Sequence, residues 1–174
     1  GVSVVDVSSL TTRNPAAYRS YVRGVDLLHR AENAEAAAAL QEAVEADSSF
    51  ALAWYYLAVA TWWAQDFAGA ELEVQKAMHL GTRLVGRERD GLHALQSLVA
   101  SHYGEAADQY RALLQRYPDD KEFLYGLGEA LFHDGKDYPG ARAAFERTVQ
   151  LDPTFAVAYQ HLVDIHVEQG DKAG

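Results

Sequence analysis

A phrase recurs in this chain at a near-constant interval. Residues 43–50 read AVEADSSF, residues 113–120 LLQRYPDD and residues 149–155 VQLDPTF, each closing a stretch punctuated by Ala and aromatic residues at helical spacing. The closing residues Ser48, Thr82, Pro118 and Pro153 stand 34, 36 and 35 residues apart. An interval of that length holds two short helices and a turn, so the period predicts a helical-repeat solenoid, in which each hairpin buries its apolar face against its neighbours. A binding scaffold is the first expectation for such a chain, and catalysis would need separate support.

The helical pattern predicts helices over 16–30, 33–47, 51–65, 67–80, 87–100, 103–116, 121–134, 138–151 and 154–169. They form four hairpins and the leading helix of a fifth. Residues 1–13 lack helical periodicity and read as an arm or linker, leaving 14–174 for the solenoid, with repeats near 17–50, 51–84, 87–120, 121–155 and a partial 156–174. Polar residues that could cap orphan amides are Ser48 or Ser49 before Phe50, Asp119 before the seventh helix and Asp152 ahead of Pro153.

Small residues recur in pairs across each turn: Gly24 and Ala36, Ala58 and Ala70, and Ala94 and Ala106 are each twelve apart, and Gly128 and Ala141 thirteen, because the turn HDGKDYPG carries one extra residue. Small side chains on both helices let them cross at close range, where a Leu or Phe would push them apart. One helical turn past the second-helix alanines stand Leu40, Val74, Tyr110 and Phe145, followed by Ala43, Ala77, Leu113 and Thr148, which supply the seam to the next hairpin. Tyr110→Ala or Phe145→Ala should therefore damage folding first.

These residues resemble the tetratricopeptide repeat pattern. The second repeat carries Trp54, Leu57, Ala58, Ala70 and Ala77; the third Ala94, Ala106, Tyr110, Leu113 and Pro118; the fourth Leu124, Leu127, Gly128, Leu131, Ala141, Phe145 and Pro153. The first keeps Gly24, Leu27, Ala36, Leu40 and Ala43 but has Ser20 at the leading large position, and the fifth begins with Tyr159, Leu162 and His166. The resemblance covers roughly 14–174 and implies an all-α, right-handed superhelical solenoid of about four and a half repeats. More narrowly, AYRSYVRGVDLLHR, ALAWYYLAVATWW, RERDGLHAL and DDKEFLYGLGEALFH are similar to repeat regions attached to bacterial serine/threonine kinases and adenylate-cyclase-type signalling proteins. That likeness implies a regulatory or adaptor module of a larger bacterial protein.

By family analogy the leading helices line an inner wall. In this sequence the wall comprises Tyr18, Tyr21, Val25 and Leu28, then Leu52, Tyr55, Val59, Trp62 and Trp63, then Tyr125, Glu129, Phe132 and His133. Tyr and Trp offer large contact area with few rotatable bonds, which suits a protein or peptide partner. Two alternatives stand beside that one: WYYLAVATWW is apolar all round, as a core helix is, and the arm VSVVDVSSL could fold back and fill the wall itself. Lys, Arg and Asn, which some members use to clamp a C-terminal carboxylate, are absent where Tyr21, Val25, Tyr55, Tyr56 and Val59 stand. A different functional class is a homo-oligomer formed through the fifth leading helix, whose Tyr159, Leu162 and Ile165 have no following helix to cover them.

Composition narrows the partners. With 25 acids against 15 Lys and Arg, the net charge of −10 argues against nucleic acid and anionic lipid; the cluster Arg83, Arg87, Arg89 is interrupted by Glu88 and Asp90. The apolar run near 57–64 is too short for a bilayer span, so no direct membrane insertion is expected. No signal peptide is visible and a cytoplasmic setting is expected, although a chain opening on Gly1 reads as a processed form or fragment. There is no cysteine for a disulfide or thiolate site. His161 and His166 are five apart, off a common face, with His161 expected to face solvent; His93, His102 and His133 are dispersed, and HExxH is lacking. The acid pairs Asp119–Asp120 and Glu71–Glu73 fit helix starts and solvated faces. Neither phosphate-loop nor nucleophile-elbow phrases occur. No enzyme activity, cofactor or metal is therefore expected.

Overall fold

The computed structural model describes residues 12–84, 86–135, 137–168 and 170. The arm at 1–11, and with it the idea that the arm fills the wall, lies outside the described residues. Within them the chain forms α1 (Pro15–His29), α2 (Asn33–Ala46), α3 (Ala51–Trp63), α4 (Phe67–His79), a single 3-10 turn at Gly81–Arg83, α5 (Gly86–Val99), α6 (Tyr103–Arg116), α7 (Lys121–Asp134), α8 (Tyr138–Leu151) and α9 (Ala156–Glu168). Two compact units divide it: one runs to Leu28 and over Glu32–Leu92, the other takes His29–Ala31 and everything from His93. Both are stacks of antiparallel helix hairpins.

The recurring phrase is a specific turn. Asp47 ends α2, and its Oδ1 accepts bonds from the Ser49 amide at 3.0 Å and the Ser49 hydroxyl at 2.7 Å. Asp152 does the same at the end of α8, accepting from the Thr154 amide at 3.0 Å and the Thr154 hydroxyl at 2.6 Å. Each turn delivers a Phe, Phe50 or Phe155, whose amide donates back to the aspartate carbonyl at 3.0 and 3.1 Å and whose ring is fully buried. The phrase therefore closes one hairpin and plugs the next layer in four residues.

Within the hairpins the turns also repeat. Ala31, Gln65, Ser101 and Gly135 all have positive φ, at 62°, 64°, 59° and 68°, and stand 34, 36 and 34 residues apart. A left-handed residue there reverses the chain; after α1, α3 and α5 the next amide then reaches back to the carbonyl of Leu27, Thr61 or Ser97, at 3.0, 3.1 and 2.8 Å. Three of the four carry a side chain where glycine is at ease.

The small pairs sit at the helix crossings as the spacing predicts, with Ala36, Ala58, Ala70, Ala94, Ala106 and Ala141 fully buried. A Cβ at Gly24 would stand 2.5 Å from Leu40 Cγ, and one at Gly128 the same distance from Phe145 Cε1. Leu40, Val74, Tyr110 and Phe145 are buried behind them, each worth about 1.5–3 kcal/mol of transfer energy. Thr148, the polar member of the seam, is fully buried and donates its hydroxyl to the Ala144 carbonyl at 3.0 Å.

Capping departs from the sequence expectation. Neither Ser48 nor Ser49 caps α3, whose first flanking residue is Phe50 with no side-chain bond. Asp120, not Asp119, caps α7, accepting from the Glu122 and Phe123 amides at 3.1 and 3.0 Å, while Asp119 pairs with Arg147 at 2.6 Å. Asp152 terminates α8 instead of starting α9, and Lys121 Nζ bonds to its carboxylate. Asn14, Asp66 and Asp137 cap α1, α4 and α8.

Candidate functional site

In the first unit, leading helices α1 and α3 each present a stripe. Tyr18, Tyr21 and Val25 recur at i, i+3 and i+7 on α1, and Tyr55, Val59 and Trp63 at i, i+4 and i+8 on α3, spacings that keep side chains on one helical face. A chain of rings joins the stripes: Tyr18 to Tyr21 at 6.1 Å, Tyr21 to Tyr56 at 5.7 Å and to Phe50 at 5.1 Å, and Tyr55 to Tyr56 at 5.2 Å. The planes are tilted or edge-on, as the aromatic quadrupole favours.

Burial grades this wall. Tyr55, Tyr56, Trp62, Leu52 and Leu28 are buried, so they are framework. Tyr18, Tyr21, Val25, Val59 and Trp63 are half-buried, each leaving part of its surface in solvent. Trp54 is half-buried too, its indole N–H donating to the Ser48 carbonyl at 3.0 Å, while its framework companion Leu57 is buried. On α4, Glu73 is half-buried, unlike the solvated face expected of the Glu71–Glu73 pair. Burial raises its carboxyl to about 7, a rise opposed by the Thr61 hydrogen bond and reinforced by the Asp66 charge.

In the second unit the wall residues of α7 converge on a buried carboxylate. Glu129 is 2% exposed, Tyr125 is likewise buried, Phe132 half-buried and His133 exposed at the edge. His133 Nε2 lies 3.8 Å from Glu129 Oε2, one helical turn on. From α9, His161 Nε2 comes within 2.6 Å of Glu129 Oε1. The His161 ring stacks on Phe145 at 4.9 Å and 9°, with Phe132 5.2 Å and Tyr125 5.8 Å away; Tyr103 stacks on His133 at 5.5 Å.

His161 therefore corrects the sequence expectation: it faces Glu129, not solvent, because the sheltered acid needs a counter-charge. His133, expected to stand apart from His93 and His102, flanks the same carboxylate from α7. Burial works against charge on His161, but the Glu129 hydrogen bond and charge, with Asp164, raise its pKa overall. Burial lowers His133, Glu129 partly opposing and His161 adding to the fall. Burial and then the Glu129 charge push the Tyr125 phenol well up. These directions favour the proton on His161 over His133 and keep Tyr125 a neutral phenol. Among the described residues no group of three or more His, Cys, Asp or Glu is arranged to hold a metal ion.

On α9, Tyr159 is 45% exposed and Leu162 half-buried, but Ile165 is fully buried. Ile165 is thus not available to the suspected oligomer face, because its side chain is fully buried. The apolar row left on the surface is Tyr159, Val163 and Val167, the last two 61% and 69% exposed and one turn apart.

Stacked hairpins of this period, with buried small residues at each crossing and aromatic leading helices, define a helical-repeat interaction scaffold. The chain belongs to the tetratricopeptide repeat family, whose pattern matches residues 21–80 and 90–154. As a member it is a protein- or peptide-binding scaffold. The solved structure of pilF from Pseudomonas aeruginosa is 22% identical with a TM-score of 0.50, covering 91% of this chain and 71% of that one. MamA from residue 41 to its end, of Desulfovibrio magneticus RS-1, is 21% identical with a TM-score of 0.47, over 92% and 89%. YrrB, described as a TPR protein with an unusual peptide-binding site, is 18% identical with a TM-score of 0.47, over 90% and 79%. No curated protein matches the sequence. Among the described residues no helix is long and apolar enough to cross a membrane.

Proposed function

We propose that the first unit binds an extended or helical peptide segment of a protein partner through Tyr18, Tyr21, Val59 and Trp63, with Tyr55 and Trp62 backing them from the core. The observation that carries this reading is the ring chain: the half-buried tyrosines of α1 are braced by the buried rings of Phe50, Tyr56 and Tyr55, so they offer rigid contact area at small entropic cost. In the second unit, Phe132 and His133 offer a smaller edge of the same kind, supported by buried Tyr125 and Glu129. A place in a bacterial signalling protein, and a cytoplasmic setting, belong to this proposal and rest on the narrower sequence resemblance.

The test is a displayed random-peptide library panned on the whole chain. Enriched peptides should carry aromatic and aliphatic residues, and Tyr18→Ala with Trp63→Ala should weaken them by about tenfold or more, as loss of two partly buried aromatic anchors implies. Helicity should stay at the parent value. Tyr55→Ala is a poor probe, because a buried ring lost there costs about 3–5 kcal/mol of stability. Undiminished binding by the double variant would remove the wall from consideration.

A second reading is self-association through α9, favoured by the exposed row Tyr159, Val163 and Val167, with Leu162 at its margin. Light scattering would then show a dimer that Val163→Asp dissociates; a monomer at every concentration rejects it.

A further inference from the structure

We propose that His161 and Glu129 form a proton-operated latch that fastens α9 to α7, holding the last helix in place at mildly acidic pH and loosening it as the pH rises past neutrality.

The geometry rests on which helices meet. α9 packs along α8, and His161 carries it past α8 to the carboxylate of α7 at 2.6 Å. A carboxylate that is 2% exposed needs a counter-charge or a proton, because desolvation penalises a lone buried anion. Protonated His161 supplies that charge, its Nε2 in close ion-pair contact with Glu129 Oε1. Its ring is held for the task by the parallel face of Phe145 at 4.9 Å.

The groups around the pair decide the sign. On α7 itself are Tyr125, a neutral phenol, and His133, whose Nε2 is 3.8 Å from Glu129. α6 contributes Tyr103, stacked on His133, and α8 contributes Phe145 and Tyr138, the latter 5.8 Å from Phe132. α9 adds Asp164, whose charge also favours protonated His161. Two imidazoles share one acid, and the balance of burial and charge gives the proton to His161 and withholds it from His133. A histidine whose folded pKa is raised contributes stability that is complete below its unfolded pKa and is lost as the pH rises through the folded value. Deprotonation leaves the buried Glu129 carboxyl against a neutral ring with no counter-charge, and the least costly relief is to let α9 move and admit water. His161 loosening uncovers Phe145 and the seat of Ile165, so the latch governs how much apolar surface the second unit presents. It does not depend on the peptide-binding reading.

The experiment is hydrogen exchange by mass spectrometry on the full chain, corrected for intrinsic rates, from about pH 5.5 to about pH 8.5, with histidine titration by NMR alongside. The expected result is that α9 protection falls several-fold across this range while α7 and α8 change little. His161 should titrate above His133. Glu129→Gln should remove the pH dependence of α9, since no anion is left to strand, and His133→Gln should retain it. Protection of α9 that is flat with pH, or His133 titrating above His161, overturns the latch. Should Glu129→Gln fail to fold, the wild-type titration order and the exchange profile of His133→Gln decide the question.

Discussion

Gly128→Ala is the sharpest test of the close crossing between α7 and α8. The new Cβ would stand 2.5, 2.7 and 2.8 Å from three carbons of the Phe145 ring, where carbon contacts settle near about 3.5–4.0 Å. The ring would have to retreat by about 1 Å. It has little room, since Phe145 is fully buried, with Tyr125 at 5.4 Å and His161 stacked at 4.9 Å. Overpacking of this kind costs about 1–3 kcal/mol, and the better helix propensity of Ala returns about 1 kcal/mol. The net expectation is a loss of up to about 2 kcal/mol, read as a fall in Tm of about 2–4 °C per kcal/mol for a chain of this size. Gly104→Ala is the control: it lies on exposed α6 surface with nothing within 4 Å, so it should gain about 0.5–1 kcal/mol. Adding Phe145→Leu to Gly128→Ala should relieve the clash, making the double variant more stable than the sum of its singles by about 0.5 kcal/mol or more. If both glycine variants shift Tm upward, the small residue at the crossing has no steric role.

Three further perturbations probe other parts of the fold. Gln65→Gly should raise the urea midpoint by an amount equivalent to about 0.5–1 kcal/mol, because exposed Gln65 holds φ at 64° and glycine reaches that region without the penalty. Asp120→Ala should cost about 1 kcal/mol through the lost cap of α7, while its neighbour Asp119→Ala, losing only an exposed pair with Arg147, stays within about 0.5 kcal/mol. Glu73 titrates at about 7 when folded against 4.5 ordinarily, so its ionisation opposes folding and stability falls as the pH rises through 4.5 to about 7. Glu73→Gln should remove that fall, a gain on the order of 1 kcal/mol near about pH 8 once solvent screening is allowed for, seen in urea midpoints measured across the range.

Residue spacing announced the helices, hairpins and crossings because each depends on contacts one or two turns apart, or one hairpin apart at a fixed offset. Gly24 against Ala36, and Gly128 against Phe145, are of that kind. The caps were less legible for a local reason. Asp119 and Asp120 are chemically equal, and only the backbone turn decides which carboxylate meets the α7 amides. Asp152 looked like a helix start, but its side chain folds first onto Thr154, which delays α9 to Ala156. His161 was misplaced because its partner is 32 residues away on another leading helix, a relation that periodicity within one helix does not contain.

A signal for that pairing was nevertheless present in the repeat itself. Tyr55, Val59, Trp62 and Trp63 of α3 stand 70 residues before Tyr125, Glu129, Phe132 and His133 of α7, two repeats earlier in the same register. Position by position the framework keeps Tyr and a large ring, while Val59 becomes Glu129 and Trp63 becomes His133. An acid that is buried where the earlier repeat has a half-buried aliphatic residue must find a counter-charge or destabilise the fold, and the adjacent leading helix, α9, provides His161. The two substitutions turn one stripe from apolar contact surface into a titratable pair of groups without altering the hairpin that carries it. The proposed ligand contact in the first unit and the proposed proton latch in the second would then be two chemistries placed at one register of the same repeat.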